Sequence, residues 1–125
     1  MRQREVLKCL FDIVEACDAL REFSAGKTLE DYLADRLLRS AVERQFMIVG
    51  EALRQALQRD PSLAESVTAT RRIISFRNRL VHGYSLTDPA IVWGVLEKDV
   101  SVLRREVLAI LEEGARPAPG EHQGQ

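Results

Sequence analysis

Apolar residues recur at three- and four-residue spacing along most of the chain, which is the pattern of amphipathic helices. The first such segment covers residues 2–22. After a break at "SAGKT", Thr28 and Asp31 have the spacing of a capping box, which predicts a short second helix from Leu29. The longest stripe then runs over residues 35–58, so we expect the longest helix there, with a bend near its start.

The second half of the chain also consists of predicted helices separated by short breaks. Asp60-Pro61 ends the long helix, because proline disfavours helical geometry in the residue before it. "SLAE" offers a further capping box at Ser62, followed by a turn or a short helix. Another helix is expected from about Thr70 until Gly83, whose type suits a left-handed terminating residue. Asp88-Pro89 then begins a last helix that ends near Gly114.

No alternating strand pattern separates these segments, so the fold class predicted is all-α. We expect an up-and-down bundle of four main helices with one or two short ones. At 125 residues the chain suits one domain. Residues 1–113 would form the bundle and residues 114–125, rich in Pro, Gly and polar residues, a flexible tail. The wide apolar stripes also favour a homodimer.

Composition narrows the function classes. Hydrophobic residues make up 46% and charged residues 30% of the chain, which indicates a globular protein. The net charge of −1 gives no overall attraction for a polyanion, yet residues 66–87 contain no Asp or Glu and four arginines: Arg71, Arg72, Arg77 and Arg79. Cys9 and Cys17 are expected as reduced core thiols, which favours the cytoplasm, and no segment suggests membrane insertion or export.

Candidate chemistry concentrates in "RNRLVHGY", residues 77–84. The sequence contains no phosphate-binding glycine loop, no zinc-spaced Cys or His pair and no nucleophile elbow, so neither a metal nor a cofactor is expected. Arg77, Asn78, His82 and Tyr84 remain as candidates, while His122 lies in the predicted tail. On an ideal helix, residues five apart diverge by about 140° and about 7.5 Å of rise, so a cleft shared by two subunits would most easily bring an Arg and a His to one phosphate.

An imidazole can take a proton from a ribose 2′-hydroxyl or give one to the leaving 5′-oxygen, and a guanidinium can stabilise charge on the phosphoryl oxygens. Such cleavage needs no metal and is restricted to RNA. The plainer interpretation is that Arg and His simply favour a helix C-terminus, with the Tyr covering the core. From the residues alone this plainer interpretation has more weight. In "IVGEA", Gly50 and Glu51 fit either a close helix crossing with a surface carboxylate or a supporting role in a site.

Three segments together resemble one known family. "FRNRLVHGY", in the form R-x-x-x-x-H-x-Y, is similar to the motif of the HepT-like toxins of the HEPN superfamily. "ERQFMIVGEAL" resembles the signature of that family's long helix, and "DPAIVWGVLEKDVSVL" resembles its final helix. The one local departure is Ser75, at a position that is often glycine.

The resemblance implies a small helical bundle that dimerises through the motif-bearing region and acts as a metal-independent ribonuclease toxin. It places Arg77 and His82 at the catalytic positions and Asn78 at the polar position that follows the arginine. Tyr84 takes the position to which the partner antitoxin, a minimal nucleotidyltransferase, attaches AMP. The RNA target, tRNA or mRNA, stays open.

Two alternatives belong to other classes. The chain could be a non-catalytic accessory module that presents nucleotides or a hydroxyl to a nucleotidyltransferase, or it could be a dimeric scaffold with Tyr84 buried and unmodified. An intact R-x-x-x-x-H-x-Y motif favours the nuclease.

Overall fold

A computed structural model describes residues 2–82 and 88–115 of the chain, with side chains as far as residue 113. It contains five α-helices and one 3-10 helix (Pro61–Glu65), and the described ranges contain no strand, which confirms the all-α prediction. The α-helices are α1 (Arg4–Ser24), α2 (Leu29–Ala34), α3 (Arg36–Arg59), α4 (Thr70–His82) and α5 (Pro89–Ala115). No helix in these ranges is long and apolar enough to cross a bilayer.

The break between α1 and α3 follows the predicted chemistry. The Thr28 hydroxyl accepts from the Asp31 N–H at 3.2 Å, and the Asp31 carboxylate accepts from the Thr28 N–H at 2.9 Å, so the capping box is confirmed. Asp35 has extended backbone angles, and its side chain accepts from the Leu38 N–H at 3.0 Å. Asp35 therefore ends α2 and caps α3, which is the physical basis of the expected bend.

The capping box predicted at Ser62 was wrong. The 3-10 helix is capped by Asp60, whose Oδ1 accepts from the Ser62 N–H at 3.2 Å and from the Ser62 hydroxyl at 2.6 Å. Pro61 occupies the first turn, where its missing N–H leaves no donor unsatisfied, so the residue before the proline is the one placed to cap. Ser62 is a donor in this cap and not its acceptor.

The core lies where α1, α3 and α5 meet. α1 packs along α3 and against α5, while α4 packs on α3. The ring of Tyr32 in α2 packs against that of Trp93 in α5, with centroids 5.2 Å apart and planes tilted by 36°, and Trp93 is a core residue. The larger apolar residues that are fully enclosed include Leu10, Ile13, Leu20, Val42, Leu53, Leu80 and Val107.

The two cysteines are buried, unbridged thiols, as predicted. Burial raises the pKa of Cys17 to about 12 and also raises that of Cys9. Both thiols are therefore neutral packing groups near neutral pH.

At the C-terminal end, α5 runs to Ala115, so the first two residues of the predicted tail are helical. Residues 116–125 and the terminating role predicted for Gly83 lie outside the described ranges.

Candidate active site on helix α4

The motif arginine and histidine both belong to α4, with Arg77 in its body and His82 as its last residue. Arg77 is half-buried, with 22% of its side chain exposed, whereas Asn78 and His82 are exposed. Tyr84 lies outside the described residues, and its role stays a prediction. The structure thus leaves the imidazole accessible and holds the guanidinium in a partly desolvated position.

Aromatic packing determines which face of α4 is turned to the bundle. Phe76 meets Phe46 of α3 edge to face, with ring centroids 5.2 Å apart, and Ile73 and Leu80 are buried on the same side. Residues three or four apart share a helix face, and Arg77 is four residues from Ile73 and three from Leu80. Arg77 therefore lies at the edge of the face of α4 that contacts α3. Asn78 and Arg79, further around the helix, are exposed.

Gly50 of α3 creates the space that Arg77 occupies. A Cβ at Gly50 would lie 2.2 Å from the Cβ and 2.5 Å from the Cγ of Arg77, closer than real Cβ contacts allow. The absent side chain lets the α4 backbone approach α3 at this point. The base of the Arg77 side chain is consequently held against the α3 backbone.

Among the described residues, two side chains contact the Arg77 guanidinium. Nη1 donates to the Asn78 Oδ1 at 2.9 Å, and Nη2 lies 3.3 Å from the Glu51 Oε1. The Nε atom is buried and has no hydrogen-bond partner among the described residues. Each of the two terminal nitrogens therefore has one contact that orients the guanidinium.

Glu51 is itself shared with a second arginine. Arg54 donates through Nε to Oε1 at 2.9 Å and through Nη2 to Oε2 at 2.8 Å, and Gln55 donates to Oε2 at 3.1 Å. These contacts, the Arg54 hydrogen bond foremost and the charge of Arg77 in addition, lower the pKa of Glu51 to about 2. Glu51 is therefore an anion between two guanidinium groups at any pH near neutral.

The remaining arginines of the acid-free segment are exposed, in agreement with a solvated helix face. Arg72 pairs with Asp99 of α5 at 2.7 Å. Arg71 and His82 are eleven residues apart, a spacing that brings them to within about 20° on one helix face, with about 16 Å of rise between them. Arg71, Asn78 and His82 consequently share an exposed stripe, and Arg79 lies at its edge.

Sequence reasoning did not single out Arg54, which was not among the candidate residues. The available signal was the three-residue spacing of Glu51 and Arg54, which places them as neighbours on a helix surface. The Gly50-Glu51 pair was left open between two interpretations. The structure confirms the close helix crossing, at Arg77, and shows the carboxylate beside the same side chain, while a supporting role in a site stays a prediction. Among the described residues, no group of three or more His, Cys, Asp or Glu is arranged to hold a metal.

Comparison with known proteins shows the family of the chain. The sequence model of a family described as "Ribonuclease HepT-like" matches residues 13–110, which includes the Gly50-Glu51 pair, Arg77 and His82. The chain belongs to the HepT-like ribonuclease family. The match runs from α1 to α5, so the HepT-like domain accounts for nearly all of the bundle.

Individual relatives extend over a similar length. A HepT-like protein of Thermococcus cleftensis named "Probable ribonuclease HepT" is 30% identical over 95 residues, which cover 76% of this chain and 86% of the relative. "Putative RNase MJ1380" of Methanocaldococcus jannaschii is 28% identical over 107 residues, covering 86% of this chain and 97% of the relative.

A third relative is longer. "Gamma-glutamylcyclotransferase and putative RNase MJ0434" of the same archaeon is 28% identical over 111 residues, and the chain spans 50% of its length. The comparison with solved structures gave no significant match.

Proposed function

We propose that this HepT-like protein is an endoribonuclease, the toxin of a toxin–antitoxin pair, in which Arg77 and His82 act on one RNA phosphodiester. The observation that carries the proposal is the contrast on α4 between a guanidinium held by Glu51 and Asn78 and an exposed imidazole at the end of the same helix. The names of the relatives add support, since several are called ribonucleases or RNases.

In the proposed reaction the ribose 2′-hydroxyl attacks the adjacent phosphorus and the 5′-oxygen of the next nucleotide leaves. His82 moves the proton at one of these oxygens, as general base or general acid. Arg77 stabilises the charge that develops on the phosphoryl oxygens, and Asn78 helps to orient it through the 2.9 Å hydrogen bond. The product is a cyclic phosphate or the monophosphate derived from it.

The five-residue separation of Arg77 and His82 supports a composite cleft in a homodimer, in which the motifs of two subunits face each other. Val81, next to His82, is 37% exposed, which gives the motif-bearing end of α4 some apolar surface. Other large apolar residues with high exposure are Phe11, Leu33, Leu37 and Ile91. We expect light scattering to give the mass of a dimer and Val81→Glu to shift it toward that of a monomer.

Regulation is proposed to occur at Tyr84, through transfer of AMP from ATP by a cognate minimal nucleotidyltransferase with release of pyrophosphate. The chain has two tyrosines, and Tyr32 is fully enclosed in the core, where burial raises the pKa of its hydroxyl. A buried hydroxyl cannot meet another enzyme in the folded state, which favours Tyr84. AMP would add a phosphodiester charge near the proposed phosphate site and so block RNA.

The principal test is cleavage of RNA by the purified protein in the presence of a chelator. We expect activity in the wild type and losses of at least about a hundredfold in His82→Ala and Arg77→Ala, the range of acid–base and charge-stabilising groups. Arg105→Ala, which removes an exposed arginine from α5, is the matched control and should retain activity. Activity that persists in both motif variants would reject the assignment.

Tyr84 is tested by intact mass after incubation with the nucleotidyltransferase and ATP. We expect AMP on the wild type and on Tyr32→Phe, and none on Tyr84→Phe. AMP addition or tight ATP binding by a chain that never cleaves RNA would instead support a non-catalytic accessory module.

A further inference from the structure

The Glu51 carboxylate lies directly beside the arginine that is proposed to bind phosphate. This is unexpected on simple electrostatic grounds, because an anion next to an anion-binding group weakens the binding of a second anion. The side chain of Glu51 is nevertheless held in this place by three hydrogen bonds from Arg54 and Gln55. Its position is therefore determined by α3 itself and does not depend on Arg77.

The Arg54 guanidinium compensates for the carboxylate. Its two hydrogen bonds to Glu51 form a bidentate pair, and the three groups Arg54, Glu51 and Arg77 together carry a charge of about +1. Gln55 extends the network to α1, because its Oε1 lies 3.8 Å from the Cys9 Sγ. The carboxylate is thus linked through Gln55 to a residue of α1.

Arg77 still has donors for a phosphate in this arrangement. Each terminal nitrogen of a guanidinium carries two N–H groups. Nη1 uses one for Asn78, and Nη2 lies 3.3 Å from the Glu51 Oε1 as an ion pair, so among the described residues each nitrogen keeps at least one N–H for a phosphoryl oxygen. The Cβ and Cγ of Arg77 pack against Gly50, which limits the rotamers open to the arginine side chain.

We infer that Glu51 is a positioning residue for Arg77. Its carboxylate holds the guanidinium in the phosphate-binding orientation and, through its negative charge, lowers the ground-state affinity for RNA. The inference rests on the proposed function and extends it to a residue outside the motif. Holding a catalytic group in place before the reaction raises the rate of the chemical step. A carboxylate beside the diester weakens RNA binding and repels the phosphoryl charge that grows in the transition state, so the inference requires the gain from positioning to exceed this repulsion. Loss of Glu51 should therefore lower kcat without raising KM.

The kinetic test compares wild type, Glu51→Gln and Glu51→Asp on one RNA substrate. For Glu51→Gln we expect kcat to fall about tenfold, which corresponds to about 1.4 kcal/mol of transition-state stabilisation, with KM unchanged or lower. Glu51→Asp, which keeps the charge on a shorter side chain, should recover part of kcat. Glu15→Gln makes the same charge change at an exposed position of α1 and should leave both constants unchanged.

Coupling to Arg77 is measured by placing Glu51→Gln in an Arg77→Lys background. If Glu51 acts through the guanidinium, the second substitution should lower kcat by less than about twofold there. An equal loss of kcat in both backgrounds, or a Glu51→Gln variant with wild-type kcat, would overturn the inference. A higher KM would do so as well, since it would place Glu51 among groups that favour RNA binding.

A second measurement does not depend on nuclease activity. In protein labelled with ¹⁵N at arginine, rotation of the Arg77 guanidinium about its Cζ–N bonds can be followed by NMR, with Arg77→Lys used for assignment. We expect slow rotation in the wild type and at least about threefold faster rotation in Glu51→Gln. Rotation that is unaffected by Glu51→Gln would overturn the inference even if RNA is cleaved. A wild type that cleaves no RNA but shows this restraint would refute the proposed function alone.

Discussion

A Cβ added to Gly50 would lie 2.2 Å from the Cβ of Arg77, so the residue type on α3 decides where the motif arginine of α4 can lie. The clash would be with the base of the arginine side chain, close to the backbone, and not with its flexible end. Neither helix can relieve it by a simple rotamer change. The crossing of α3 and α4 and the position of the candidate site are consequently one structural feature.

We expect Gly50→Ala to destabilise the protein although alanine is the better helix former. Overpacking at a tight contact costs about 1–3 kcal/mol, which exceeds the gain of up to about 1 kcal/mol from replacing a glycine within a helix. Denaturant unfolding followed by circular dichroism gives the free energy of unfolding. RNA cleavage should fall as well, because α4 must move away from α3.

The matched control is Gly94→Ala in α5. A Cβ there would meet nothing within 4 Å, so only the helix-propensity gain of about 0.5–1 kcal/mol should remain. If the two variants changed stability in the same direction, the close crossing at Gly50 would not be the reason for its residue type.

Tyr32 supplies a second stability prediction. Its ring packs against Trp93, but its hydroxyl is buried and has no partner among the described residues. An unsatisfied buried hydroxyl costs about 1–3 kcal/mol, so Tyr32→Phe should be neutral or stabilising by up to about that amount. Thermal unfolding would measure the change.

Tyr32→Leu separates the ring from the hydroxyl. It removes the aromatic contact with Trp93 and should destabilise the protein by about 1–3 kcal/mol. A loss of stability in Tyr32→Phe comparable to that in Tyr32→Leu would mean that the hydroxyl makes a favourable contact.

Cys17 should be chemically inert in the folded protein, because burial raises its pKa from 9.0 to about 12 and reaction requires the thiolate. We expect alkylation by iodoacetamide at about pH 8 to be at least about a hundredfold slower in the native than in the denatured chain, as measured by mass spectrometry of the Cys17 peptide. Equal rates in the two states would contradict the burial of Cys17.

The same shift predicts a pH dependence of stability. The unfolded thiol ionises near 9.0, whereas the folded thiol stays protonated until about 12. The contribution of Cys17 is therefore complete below the lower value and is lost as the pH rises between the two. The difference in unfolding free energy between wild type and Cys17→Ala should decrease from about pH 8 to about pH 10.5. A difference that grows over this range would have the wrong sign.

The exposed stripe of α4 predicts how RNA binding depends on salt, if the proposed function is correct. Arg71 and Arg79 are exposed on the same side of α4 as His82 and can contact further phosphates of a bound strand. The double variant Arg71→Ala/Arg79→Ala should raise the Kd for single-stranded RNA and make the slope of log Kd against log salt shallower by about 1.4, for two lost phosphate contacts. Filter binding at several salt concentrations would measure both quantities.

The control for the loss of charge is the double variant Arg105→Ala/Arg36→Ala. It removes one exposed arginine from α5 and one from α3. An equal change of slope in both double variants would indicate a general charge effect and not a track along α4.

Much of the fold was predictable because it depends on neighbours in the sequence. The capping box of Thr28 and Asp31 and the helical periodicity of α3 follow from rules that span three or four residues. Where two local signals competed, as at Asp60 and Ser62, the backbone geometry imposed by Pro61 decided the cap, and the sequence pattern alone favoured the wrong residue. The position of Arg77, Asn78 and His82 on the last turns of α4 was likewise predictable, because it depends only on the helical periodicity of that segment.

The sequence by itself therefore determined the helices and the core positions, since both follow from the 3.6-residue repeat of one helix. The motif side chains were indicated by their residue types and spacing within one segment. Only the tertiary structure decided that Gly50 and Glu51 of α3 meet Arg77 of α4 and that Arg54 completes the charge network. Those contacts depend on the register at which two helices cross. Many residues far apart in the sequence determine that register together, through the shape of the packed core.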